Sequence, residues 1–518
     1  MEGGLAAAAW LGAACSRRAF PHVGGTALTA GDPEAAPIAL EAILRAAPAE
    51  ARLDPATGRS TRVWRFEGKR LQGAAEALVA QPNSYLGPTF RVRRGQHLRI
   101  HFENALREPS IVHWHGLQVP EASDGHPRFA VAPGQTYRYD FTVQNRPGLY
   151  WYHPHPHGRT GPQVYAGLAG LFLVEDPDDK ARGLPTGEAD LPLVIQDRAL
   201  GADGELAYAP NQMVGFLGDR IFVNGQQTPA FTVRAGSYRL RLLNGSNSRI
   251  YKLAFSDLRP ITVIGSDGGL LAAPVSKPYV VLAPGERAEL WTDFAPSSSG
   301  QELWLESRAF SATGGMMMGG GMMGRGDAGG GMMGAGGRGG LANGAPFRVC
   351  RFVVSGVGER LTLPSRFEPL AWRADAEVVN LGRSRRVDVS MSMMRWQLNG
   401  RSFEMTEVAP EERVKLGSTE DWEFRNIGGM MAMAHPLHLH GGQFQVVERE
   451  LAPGWQASAA TLQAGLIDEG WKDTFLLLPG ERVRLRMRFE RYPGLFLYHC
   501  HNLEHEDAGM MRNFLIEA

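Results

Sequence analysis

Ten of the fifteen histidines in this 518-residue chain fall in four short clusters. "HWHG" holds His113 and His115. "HPH" holds His153 and His155. "HPLHLHG" holds His435, His438 and His440. "HCHNLEHEDAGMM" holds His499, His501 and His505 together with Cys500 and Met510. In His-x-His on an extended strand both imidazoles face one side and the middle residue faces the other. Four such pairs, two in the first third of the chain and two in the last, supply eight imidazoles. That suits several metal ions held between two domains, with positions open for a substrate. Cys500 is the middle residue of the fourth pair, so its thiolate must point away from the cluster. His435, His505 and Met510 remain to complete a second site there. Two histidines, a thiolate and a weak axial thioether are the ligand set of a blue-copper electron-transfer centre. Zinc would not need so many imidazoles, and no His-Glu-x-x-His helix occurs.

These clusters need elements to hold them. Helical periodicity is rare. Short alternating runs such as "FRVRRGQHLRIHFEN" (Phe90 to Asn104), "YRLRLLN" and "ERVRLRMRF" are punctuated by turn residues, the pattern of all-β sandwiches or barrels. One repeat is clear. "PGQTYRYDFTVQNRPGLYWYHPH" starts at Pro133 and "PGERVRLRMRFERYPGLFLYHCH" at Pro479, and in each a second Pro-Gly follows 14 positions on. A middle copy, "APGERAELWTDFAPSSSGQELWLESRAF" from Ala283, ends in Glu306, Ser307 and Arg308 where the others have His-x-His. The repeat predicts three domains of one fold, at 36–180, 186–357 and 364–518, with the middle one lacking ligands. It also pairs His153 with His499 and His155 with His501, and sets Pro154 in the slot of Cys500. His157, the third alternate histidine of "WYHPHPHG", falls opposite Leu503 and is expected not to be a ligand.

Lys+Arg and Asp+Glu each number 54, so the formal net charge is zero and there is no basic footprint for nucleic acid or an anionic membrane. Three cysteines, Cys15, Cys350 and Cys500, are too few and too odd for a disulfide framework. Cys350 sits in the alternating "FRVCRFVV" and reads as a small buried residue. Residues 1–35 read as a signal remnant or disordered tail. Their apolar run Leu5 to Cys15 is too short to span a bilayer and resembles the end of a secretory signal, with Cys15 a candidate lipid attachment point. Export to the periplasm or outside the cell is the expectation.

The four motifs, in this order and at these places, resemble the multicopper oxidase family of three cupredoxin-like Greek-key β-barrel domains. The likeness covers nearly the whole chain. It implies four copper ions: type 1 bound by His435, Cys500 and His505 with Met510 axial, type 2 by His113 and His438, and a type 3 pair by His115, His153, His155, His440, His499 and His501. It implies that electrons enter at type 1 copper, pass through Cys500, and reduce O2 to water at the trinuclear cluster. Asp124 and Glu506 stand where acids of the family donate protons, and the resemblance implies a monomer with O2 and a small reductant as partners.

Methionine clustering bears on the reductant. Gly314 to Gly340 is almost entirely glycine and methionine, and Met430, Met431 and Met433 lead straight into His435. Thioethers are soft ligands that favour Cu(I). A Met-rich loop that gathers cuprous ions and passes them to Met431 or Met433 resembles the bacterial copper-efflux oxidases. In those the insert lies in the third domain, whereas here it falls in the second, as in thermophilic bacterial laccases. The expected activity is oxidation of Cu(I), of phenols and aromatic amines, or of both. The competing readings are a general laccase without a Cu(I) role and a copper-binding periplasmic scaffold without turnover. "MSMM" (Met391 to Met394) is expected to pack as core.

Overall fold

The computed structural model describes residues 37–311, 341–367, 370, 374–392, 394–426 and 432–518. Residues 1–35 with Cys15, the Gly/Met stretch 314–340, Met430 and Met431 lie outside the described residues. Strands dominate the described chain and form six sheets. Two sheets, of four and five strands, use strands between Ile38 and Glu175. Two, of seven and five, use strands between Asp190 and Val357. Two of five strands each use strands between Arg385 and Glu517.

The internal repeat reappears as pairing. In the first pair of sheets Ile38–Ala51 runs parallel to His97–Asn104, which pairs antiparallel with Thr136–Thr142. Asp190–Arg198, Ser237–Asn244 and Arg287–Asp293 repeat that order. So do Arg385–Ser392, Thr419–Asn426 and Glu481–Arg488. The third strand of each set begins just after its Pro-Gly: Gly134, Gly285 and Gly480 all have positive φ, the turn that glycine enters without steric cost. Alternation along the strands puts an apolar face inward on each sheet, and the three largest buried clusters draw almost wholly on one stretch apiece. Smaller clusters join the stretches. Trp151 and Leu171 pack with Val194 and Phe222, and Ile250 and Val281 pack with Leu476 and Leu478.

Cys350 is a buried strand residue, as its alternating run predicts. The "MSMM" expectation is only partly met. Met391 packs against the third core, but Met394 sits at φ 61°, 57% exposed, because the chain turns there into the hairpin strand Arg395–Leu398. Among the described residues no helix is long and apolar enough to cross a membrane.

Candidate metal centre

Two hairpin-like strand pairs carry most of the histidines. Val112–His115 pairs antiparallel with Gly148–Pro154, which sets His113 opposite His153 and Trp114 opposite Tyr152. His435–Leu439 pairs with Gly494–Cys500, which sets His438 opposite His499 and Leu437 opposite Cys500. The period of two then sorts the faces. Trp114 and Tyr152 enter the first core, and Leu437 and Cys500 the third, while the histidines meet on the other face. Pro154 takes the place in its strand that Cys500 takes in the last one.

Eight imidazoles converge. His113, His115, His153, His155, His438, His440, His499 and His501 are all buried, and each has ring neighbours among the others at 3.8 to 6.0 Å. Two aspartates orient four of them. Nδ1–H of His113 donates to the Asp124 carbonyl at 2.6 Å, and Nδ1–H of His440 to the Asp124 carboxylate at 2.7 Å. Asp473 repeats the device. Its carbonyl accepts from Nδ1–H of His438 at 2.8 Å and its carboxylate from Nε2–H of His115 at 3.1 Å. Two more donors are spent locally, His153 Nδ1 on the Pro154 carbonyl and His499 Nδ1 on the Cys500 carbonyl.

The atoms left over test what the cluster can hold. With Nδ1–H committed, Nε2 of His113 and of His438 are lone pairs, and they face each other at 3.3 Å. Nε2 of His499 faces Nε2 of His440 at 3.1 Å and that of His155 at 3.3 Å. The lone pairs of His113 and His438, and of His440 and His499, repel unless a cation lies against them. Nδ1 of His115 and Nε2 of His153 and His501 are buried with no hydrogen-bond partner among the described residues. A buried acceptor without a partner costs about 1–3 kcal/mol, and metal ligation removes that cost. The donor set therefore fits several borderline-soft cations bound by imidazole.

A second site lies on the core side of the last sheet. Cys500 Sγ is 3.6 Å from Nδ1 of both His435 and His505. Met510 is fully buried in the same core, and its backbone closes the loop: Cys500 N–H donates to the Met510 carbonyl at 3.0 Å and Met510 N–H to the His505 carbonyl at 2.9 Å. Burial holds His505 down to about 3 and pushes the Cys500 thiol up. Both shifts disfavour charge in the metal-free protein, and a cation that takes the thiolate offsets them. The consecutive residues His499, Cys500 and His501 join the two sites through covalent bonds.

Both carboxylates expected from sequence are buried, so neither is a solvated surface acid. Burial raises the Asp124 carboxyl well above its ordinary range. Burial alone would raise Glu506 too, but the imidazoles of His155 and His499, at 3.6 and 3.1 Å, outweigh it and hold Glu506 below that range. His157 is exposed, with its ring against Phe403 at 4.9 Å, and stands in none of the clusters. Met433 is half-buried against the third core, and Met431 lies outside the described residues.

Sequence reading missed three neighbours. Asp473 is one; its only signal is the Lys472-Asp473 pair at the head of an apolar run. Trp396 stacks edge-on to His435 at 4.5 Å. Met213, from the middle stretch, offers its carbonyl to Nε2–H of His505 at 3.1 Å and to Nε1–H of Trp396 at 3.2 Å. Nothing in "NQMVG" announces a main-chain acceptor.

The chain is similar to known proteins along most of its length. Two family profiles described as multicopper oxidase match residues 65–179 and 379–518. The multicopper oxidase mco of Staphylococcus haemolyticus is 30% identical over 433 residues, 82% of this chain and 81% of that protein. The cell division protein FtsP of Pectobacterium atrosepticum is 31% identical over 460 residues, 88% of each. Among solved structures, the McoA multicopper oxidase of Aquifex aeolicus is 33% identical, covers 93% of this chain and 97% of that one, and superposes with a TM-score of 0.77.

Proposed function

The chain belongs to the multicopper oxidase family, and from that premise we propose that it couples one-electron oxidation of a small reductant at His435, Cys500, His505 and Met510 to reduction of O2 at the eight-imidazole cluster. When bound, copper supplies one-electron uptake at the first site and four-electron reduction of O2 to water at the second. The observation that carries the reading is the set of facing and orphaned imidazole nitrogens, a donor set that bound cations satisfy. His113 and His438 are the type 2 ligands in this reading. His115, His153 and His501 hold one type 3 ion, and His155, His440 and His499 the other, for four ions in all. His499, Cys500 and His501 supply the short covalent link along which charge moves. Asp124 orients His113 and His440. Glu506, within reach of His155 and His499, moves protons to the cluster.

The test is direct. Copper-loaded protein is expected to be blue, to hold four ions per chain and to consume O2 with a phenol, while Cys500→Ser loses the colour and the turnover. Full loading without colour or O2 uptake would favour a copper-binding scaffold. That second reading has one observation in its favour, the similarity to a cell division protein.

For the reductant, the methionines of 314–340 with Met431 and Met433 support Cu(I) alongside phenols and aromatic amines. Deleting Gly314 to Gly340 should lower Cu(I) oxidation and spare phenol oxidation; equal loss of both would refute the role. We place the protein outside the cytoplasm on the strength of the apolar run Leu5 to Cys15, and take it as a monomer from its resemblance to the family.

A further inference from the structure

The middle stretch contributes no imidazole, yet it sends one side chain to the edge of the cluster. Arg287 follows its Pro-Gly turn and is fully buried. A guanidinium has five N–H donors in a fixed plane. All five are used, by acceptors from all three stretches. Nε donates to the Leu149 carbonyl at 3.1 Å, Nη1 to the Gly285 carbonyl at 2.9 Å, and Nη2 to the Asp267 carbonyl at 3.0 Å. The remaining two go to Asp473, Nη1 to Oδ1 at 2.6 Å and Nη2 to Oδ2 at 2.5 Å. A two-point contact of this kind fixes the carboxylate plane as well as its place.

We propose that Arg287 is a positioning residue for the metal cluster, acting through Asp473 on His115. The inference rests on the reading that the eight imidazoles hold copper. The carboxylate that Arg287 clamps accepts from His115 Nε2–H at 3.1 Å, and it also accepts from the Thr474 hydroxyl, whose oxygen lies 3.1 Å from the same ring nitrogen. The bond from His115 sets the tautomer and leaves Nδ1, the atom without a partner, to face the cluster. The clamp has no slack. A Cβ on Gly285 would stand 3.0 Å from His115 Cε1 and 3.1 Å from His501 Cδ2, and one on Gly116 would stand 2.8 Å from Arg287 Nη2. The middle stretch thus keeps its Pro-Gly-Glu-Arg turn although its own ligands are missing. Lysine, with three donors on a point charge, cannot occupy both carboxylate oxygens and three carbonyls.

The tautomer can be read without copper. In metal-free protein labelled with 15N-histidine, two-bond nitrogen–proton spectra should show His115 with its proton on Nε2, and Arg287→Lys should convert it to a mixture or to Nδ1–H. On copper loading, Arg287→Lys should keep the blue colour, which belongs to His435, Cys500 and His505. It should lose at least one ion from the cluster or change the cluster's EPR signal. A lysine variant with the native tautomer and native cluster signal would overturn the proposal. If that variant does not fold, Arg287→Gln, which keeps Asp473 in place but offers it one amide in place of the guanidinium fork, takes the same readings, with the same expected and overturning results. Native protein that shows the Nε2–H tautomer but takes up no copper would refute the copper reading and leave the clamp standing.

Discussion

At the scale of single residues, burial disfavours charge on most of the clustered imidazoles. Burial, with their mutual repulsion, lowers nine of the ten clustered histidines; His153 and His505 stand at about 3 and His155 at about 4. An unfolded histidine titrates near 6.5. Below that value the unfolded chain binds more protons than the folded one, so folding stability falls as pH falls. The buried carboxyls raised by desolvation, Asp124 and Asp507 foremost, pull the other way, but the imidazoles outnumber them. The metal-free protein should therefore lose thermal stability steadily from pH 7 to pH 5, as followed by circular dichroism. An unfolding midpoint that holds or rises would contradict the account. Single substitutions divide the roles further. His155→Ala should lower the copper count per chain, and His157→Ala, at an exposed ring, should not. Glu506→Gln should keep four ions and the blue colour yet slow O2 consumption by about 10²-fold or more, the usual size of a lost proton donor. Unchanged turnover would remove Glu506 from the proton path.

At the scale of elements, strand pairing decides which residues meet, and loops decide which are covered. The turn Asn211–Gly215 is held by its own side chain: Asn211 Oδ1 accepts from Met213 N–H at 2.7 Å, and Gly215 takes φ 89° with Ser248 in the space a Cβ would need. This turn carries the Met213 carbonyl to His505 and Trp396. Gly215→Ala meets a Cβ contact of 2.0 Å with Ser248 Oγ and strained backbone costing about 1–3 kcal/mol. It should shift the visible absorption of the blue site while leaving the copper count unchanged. In sequence, 314–340 falls between Glu302–Ser307 and Phe347–Val357, strands paired antiparallel, with Phe310 N–H bonded to the Gly344 carbonyl. Its deletion in the Cu(I) test therefore closes over ends that are adjacent, and the fold should survive. Much of this was legible. Period-two spacing gave the faces of His113, His115, His438, His499 and Cys500, and the Pro-Gly repeat pointed to copies of one domain, whose shared strand order the pairing shows. What spacing could not give was partnership across the chain. Asp124 could be singled out because it follows its cluster within one loop, whereas Asp473 reaches His115 only after strands 358 positions apart are brought together. Met213 acts through a carbonyl that every residue type possesses.

At the scale of the molecule, the cluster is also a fastener. Its imidazoles come half from the first stretch and half from the last, and Asp473 and Arg287 tie in the middle one. A metal held this way binds only when the stretches are assembled, so its binding free energy adds to their association. Mass action gives the size: free metal at a thousand times the dissociation constant stabilises the folded form by about 4 kcal/mol. The proposed blue site differs, because His435, Cys500, His505 and Met510 all belong to the last stretch. Copper there should stabilise that stretch without fastening it to the first. Calorimetry on stripped, fully loaded and cluster-depleted protein separates the two. Full loading should raise the main unfolding midpoint and bring the stretches into one cooperative transition. A protein depleted at the cluster by His155→Ala, but still blue, should unfold in separated steps. If the blue, cluster-depleted protein unfolded as cooperatively as the fully loaded one, the fastening would have to come from the apolar and ionic contacts alone, such as those of Trp151 with Phe222 and Arg287 with Asp473.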